Sequence, residues 1–170
     1  MPYQFQKDLE QRKLIRENTR ISITVGLAAI ISVVIYSALA FFFTFAPSGV
    51  VKDPKTLDNI WMIVNIVVVL ILVAILALRK TLYYSNRVID PQDTLKEILV
   101  KWQKLDLILI ASAEVIPLAG LVLRVMGLPF DQVYHFFAGA IILFLLLMPF
   151  GIKVRSKLQV LKTSHPEIAL

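Results

Sequence analysis

"LILIASAEVIPLAGLVLRV", residues 107–125, is the stretch whose reading decides the fold. A run of about 20 apolar residues crosses a bilayer as a helix. Lipid offers backbone N–H and C=O groups no partners, so a helix is the conformation open to such a run. Yet Glu114 sits at its centre and Pro117 follows three residues later. The run sets two questions: whether the rest of the chain is also built for a membrane, and what a carboxyl group does in the middle of one.

The first question has a clear answer. Of 170 residues, 58% are hydrophobic, and the mean hydropathy is +0.75. Soluble domains hold about 45–50% apolar residues. Four apolar segments recur, at about 21–45, 60–78, 107–123 and 133–152, each nearly free of charge. The expected fold is all-α: a membrane protein whose four transmembrane helices form two antiparallel hairpins. The domain division is a cytoplasmic segment 1–20, a membrane domain 21–152 and a cytoplasmic tail 153–170. "ALA" at 38–40 mimics a signal-peptide cleavage site, but the preceding apolar run exceeds the usual 7–15 residues. The first span is therefore expected to be retained.

Charge placement sets the orientation. Residues 1–20, 79–106 and the tail after Gly151 together hold 15 of the 18 basic residues; only Lys52, Lys55 and Arg124 lie elsewhere. The positive-inside rule then puts both ends and the middle loop in the cytoplasm, in the cell's inner or plasma membrane. This asymmetry accounts for the net charge of +6, so nucleic acid is not an expected partner. Attraction to anionic lipid is. Aromatic residues mark the borders: Phe41, Phe42, Phe43 and Phe45 on the first span, Trp61, Tyr83 and Tyr84 on the second, then Trp102 and Tyr134. Such rings favour the interface. With no cysteine, disulfides, thiolate metal sites and cysteine nucleophiles are excluded for this chain.

The connections carry further signals. "MGLPFDQ" (126–132) is short and predicts a tight hairpin, whereas "APSGVVKDPKTLDN" (46–59) is rich in breakers. Asp90 can cap a helix with Pro91 at its first position. Leu95, Ile98, Leu99, Trp102 and Leu105 then share one helical face, predicting an amphipathic helix over about 91–105. It would lie on the inner membrane surface or extend the third span.

The second question leaves two readings open. Intramembrane acids usually face protein or water, and apolar surroundings favour the uncharged form. Pro117 cannot donate to the carbonyl of Ala113, which bends the helix beside the carboxyl. Ser32 and Tyr36 lie at about the same depth on the first span, with Asn65 about 6 Å further out. Glu114 with Tyr36 and Ser32 is therefore either a proton or cation site or a neutral packing contact. "SAEVIPLAGLV" (112–122) resembles the carboxylate-bearing helix of the proteolipid ring subunit of rotary ATP synthases. The resemblance covers barely a dozen residues and implies an ion-carrying role for Glu114. The glycine-rich partner helix and polar hairpin loop of that family are missing here.

Other candidates are weaker. His135, in "YHFFAGA", is a contact for haem or chlorin, or simply an interfacial histidine. His165 falls on the opposite side, so the chain cannot supply two histidines to one haem. Arg124 is expected to snorkel or to pair with Asp131 across the tight turn. Ser22 with Gly26, Ala28 with Ser32, and Ala138 to Ala140 are expected packing surfaces. "IILFLLLMPF" is expected to face lipid or a partner over much of its surface. No phosphate loop, His-Glu metal motif or serine triad is present. The leading expectation is a non-enzymatic accessory or scaffold subunit of a larger respiratory, photosynthetic or transport complex, in contact with other membrane subunits or copies of itself, and with lipid. A small oligomeric proton- or cation-coupled carrier or channel using Glu114 is the alternative. A haem-, quinone- or pigment-binding subunit comes third.

Overall fold

The structure is a computed structural model. It describes residues 2–42, 53–83, 85, 89–90, 92–149 and 151–164. Phe43, Phe45, residues 46–52 of the 46–59 loop, Tyr84, Pro91 and His165 lie outside those residues. The described chain forms six helices: α1 (Pro2–Phe42), α2 (Pro54–Leu82), α3 (Leu95–Ala113), α4 (Val115–Val125), α5 (Phe130–Leu147) and α6 (Gly151–Ser164). Four helical stretches are long and apolar enough to cross a membrane: 12–42, 55–82, 95–125 and 130–147. The protein is thus an all-α, four-span integral membrane protein.

Helix starts follow local chemistry. Asp53 caps α2, accepting from the Lys55 amide at 3.2 Å and the Thr56 hydroxyl at 2.7 Å. At α3 the cap is Thr94, not Asp90. Thr94 and Glu97 bond reciprocally: the Thr94 amide donates to the Glu97 carboxylate at 2.8 Å and the Glu97 amide to Thr94 Oγ1 at 3.4 Å. This capping box satisfies two end groups at once. Asp90 serves the preceding turn, where its carboxylate accepts from the Gln92 amide. From Leu95 the helix runs unbroken into the third span, and Ile98, Leu99 and Trp102 of the expected stripe are buried.

The core is a packing of α1, α3–α4 and α5. On α1 the buried positions are Ile15, Thr19, Ser22, Gly26, Ala29, Val33 and Ala40. As far as Val33 they recur every three or four residues, and Ala40 follows one heptad on, making a coiled-coil-like seam. Ala28 is exposed, so the small-residue seam passes through Ala29 instead. α5 corrects a larger expectation. Val133, Phe136, Phe137, Ala140, Leu143, Phe144 and Leu147 are all buried, so the greasy fourth span forms one wall of the core. Only its other face, with Ile142, Leu145 and Leu146, is exposed.

α4 and α5 approach closely at Gly120, where an added Cβ would stand 2.8 Å from the Cβ of Phe136. Their connection is a Schellman turn. The Leu128 amide reaches back to the Leu123 carbonyl at 3.2 Å, and Gly127 takes φ +113°. A left-handed residue at this position is what glycine accommodates most easily. α2 packs on α3 and α4. It is the peripheral span: 11% of its most apolar window is buried, against 39% in the third and fourth spans.

Candidate functional site

Two acids, buried Asp106 and half-buried Glu114, face α1 from one side of the third span. Asp106, Ile110 and Glu114 follow at intervals of four, so they share a helical face. The first acid sits at the basic end of the bundle and the second about 12 Å further along the axis.

Glu114 stands at the break between α3 and α4. Pro117, buried beside it, cannot bond to the Ala113 carbonyl, which explains why the break falls there. Ser32 Oγ lies 2.9 Å from Glu114 Oε1 and 2.7 Å from the carbonyl of Ala29. A hydroxyl has one proton and a carbonyl can only accept. Both contacts are therefore full hydrogen bonds only when the carboxyl brings a proton of its own. Oε2 is buried and has no partner. Tyr36 does not join this pair: no hydrogen bond links it to Glu114 among the described residues. It lies one turn beyond Ser32, where its ring packs against the core.

Asp106 is the residue that sequence reading missed. It is 3% exposed and accepts a hydrogen bond from the Tyr83 hydroxyl. The Trp102 indole donates to the Tyr83 carbonyl at 3.0 Å, and the two rings pack with centroids 5.7 Å apart. Tyr83 and Trp102 are thus buried within the protein. A cavity of about 10 Å³ opens beside Asp106, lined by Asn18, Thr19, Ser22 and Gln103 among others. The signal was present in the sequence: Asp106 lies one turn after Trp102 on the same face.

His135 and Asn65 form a separate polar pair, 2.9 Å apart through Nε2 and Oδ1, on the exposed side between α2 and α5. Trp61 donates to the Gln132 carbonyl beside it at 3.3 Å. With Nε2 engaged by Asn65, Nδ1 is the nitrogen left to ligate a haem or chlorin. Among the described residues no group of three or more histidines and acids is placed to hold a metal.

Two arginines cap neighbouring helices. Arg124 Nε donates to the Ala40 carbonyl at 2.8 Å, near the end of α1, and Nη1 to the Leu128 carbonyl at 2.9 Å. It forms no ion pair with Asp131. Helix ends leave carbonyls without amide partners, and the Gly127 turn puts one of them within its reach. Asp131 is exposed in the first turn of α5, where a negative charge suits the helix dipole. At the other end Arg79 donates to the carbonyls of Leu146 and Leu147 as α5 ends. Comparison with protein-family models, with curated proteins and with solved structures finds no match for this chain.

Proposed function

We propose that this chain is a structural subunit of a larger membrane assembly, with both ends on the cytoplasmic side. The observation that carries this is the Asn65–His135 pair. It lies within two membrane spans yet is exposed on the lateral face beside α2. Polar groups facing hydrocarbon are costly, whereas polar side chains between helices hold assemblies together. α2 supports the same reading. Polar contacts from Trp61, Asn65 and Arg79 tether it to α5, while Met62, Ile66, Val69, Leu70 and Val73 point outward. A partner span seated there covers both the pair and the apolar stripe.

The test is extraction from native membrane in mild detergent, comparing wild type with His135→Ala. Defined subunits should accompany the wild type and be lost from the variant, while its own melting temperature changes little. A lone chain in both preparations refutes the proposal.

A second reading, reversible proton binding at Glu114, is favoured by the Ser32 geometry and the unpartnered Oε2. Glu114→Gln keeps the size and an amide donor but cannot ionise. Intact assembly with lost proton-linked activity in that variant supports this reading; unchanged activity refutes it.

A further inference from the structure

α1 and α3 run parallel, and their seam carries two polar levels. Ser32 meets Glu114 at one, while Ser22 and Asp106 line the same cavity at the other. At the lower level Thr19 donates its proton to the Ile15 carbonyl at 2.8 Å, and the Asn18 amide donates to the Leu14 carbonyl at 3.0 Å. Ser22 differs. It is fully buried and its Oγ has no partner. A buried hydroxyl left so costs about 1–3 kcal/mol. The adjoining cavity of about 10 Å³ has room for a single water. That water would find Ser22, the Asp106 carboxylate and the Asn18 side-chain oxygen as partners. A carboxylate can accept several bonds at once.

Between the levels lies an apolar barrier. Met148 rests on Gly26: a Cβ there would stand 3.1 Å from both Met148 Cγ and Cε, and 3.7 Å from Ile110 Cδ1. Met148 is the residue at which α5 ends, just before Pro149. Methionine is unbranched and flexible, so its side chain can leave such a notch without moving a helix.

We propose that the Ser22–Asp106 cavity is a water-holding proton site through which Glu114 exchanges its proton with the aqueous side at the basic end, with Met148 as the movable barrier between them. The inference rests on the second reading above, a protonated Glu114. The step is an exchange through water admitted when Met148 swings aside: the Glu114 Oε1 proton leaves to that water and passes through the cavity water to the basic end, and a proton from the same water returns to Oε1, so atoms and charge balance.

The experiment is infrared spectroscopy of the full chain in lipid nanodiscs transferred to D2O. The Glu114 carboxyl C=O band is identified by its loss in Glu114→Gln, and its deuterium shift is followed in time. Asp106→Asn should slow the shift about a hundredfold, as for loss of a positioned proton-transfer group. Ser22→Val, which fills the water's place with a methyl group, should slow it too, and keeps the test sound if Asp106→Asn folds poorly. Met148→Ala should accelerate it. Ser112→Ala, on the exposed face, should leave it unchanged. A band whose exchange ignores Ser22→Val and Met148→Ala overturns the route alone. Absence of any Glu114 band overturns the protonated carboxyl and the route with it.

Discussion

Gly120 and Gly139 offer the same substitution in two settings on adjacent spans. At Gly120 an alanine Cβ would lie 2.8 Å from Phe136 Cβ, 3.3 Å from its Cγ and 3.4 Å from Phe137 Cζ. Carbon atoms prefer about 3.5–4.0 Å. Phe136 Cβ is fixed to the α5 backbone, so rotation of the ring cannot relieve the clash; α4 and α5 must separate. Overpacking of this kind costs about 1–3 kcal/mol. Against it stands the gain from replacing a helical glycine with alanine, about 1 kcal/mol. The net effect of Gly120→Ala should be a loss of about 1 kcal/mol, with the packing cost near the middle of its range. At Gly139 nothing lies within 4 Å of the added Cβ. There the helical gain stands alone, so Gly139→Ala should stabilise by up to about 1 kcal/mol. The two variants should thus differ by about 2 kcal/mol, with opposite signs. Reversible unfolding in mixed micelles titrated with SDS measures both. Equal stability of the two variants, or the reverse order, would refute the close α4–α5 crossing.

Arg124→Gln should lose about 1–3 kcal/mol by uncovering the Ala40 and Leu128 carbonyls, whereas Asp131→Ala should change stability little; equal effects in the same unfolding assay would restore an Arg124–Asp131 pair. Thr94→Ala should cost about 1 kcal/mol and speed amide exchange in the first turn of α3. The Lys101 ammonium, 2.6 Å from Asp93, holds that carboxyl below its ordinary 3.8. Its folded value is depressed, so its contribution is present above the ordinary value and is lost as pH falls through the lowered one. In Lys101→Met, acid should release amide protection around Asp93 at a higher pH than in wild type; identical acid profiles would exclude the pair. A cysteine at Ser85 should resist an impermeant thiol reagent in intact cells while one at Ser48 reacts, and labelling at Ser85 would invert the orientation.

Much of this was legible in the sequence because hydropathy and charge act over long windows. The four spans, the tight 126–132 turn and the Ser32–Glu114 meeting follow from apolar runs, breakers and depth matching. The failures have physical causes. From Phe136 onward α5 is apolar all round, so no contrast reveals that Phe136, Ala140 and Leu147 face the core. Asp106 was left outside because the third apolar run begins at Leu107. Its burial comes from tertiary cover by α1, α6 and Tyr83, which hydropathy does not register. Arg124 and Asp131 invite pairing by sign and spacing. Helix-end carbonyls compete for the same guanidinium and win because the Gly127 turn delivers one to it. At α3, Asp90 with Pro91 resembled a start, but the reciprocal Thr94–Glu97 box caps four residues later.

The most direct measurement of whether α2 seats a partner is photocrosslinking in native membrane. A photoreactive residue at Leu70, exposed on α2, is compared with one at Ile142, exposed on the outer face of α5. Leu70 is expected to yield a discrete protein adduct that disappears with His135→Ala, while Ile142 yields lipid adducts. Lipid adducts alone at both positions would show that α2 faces the bilayer and would contradict the proposed assembly.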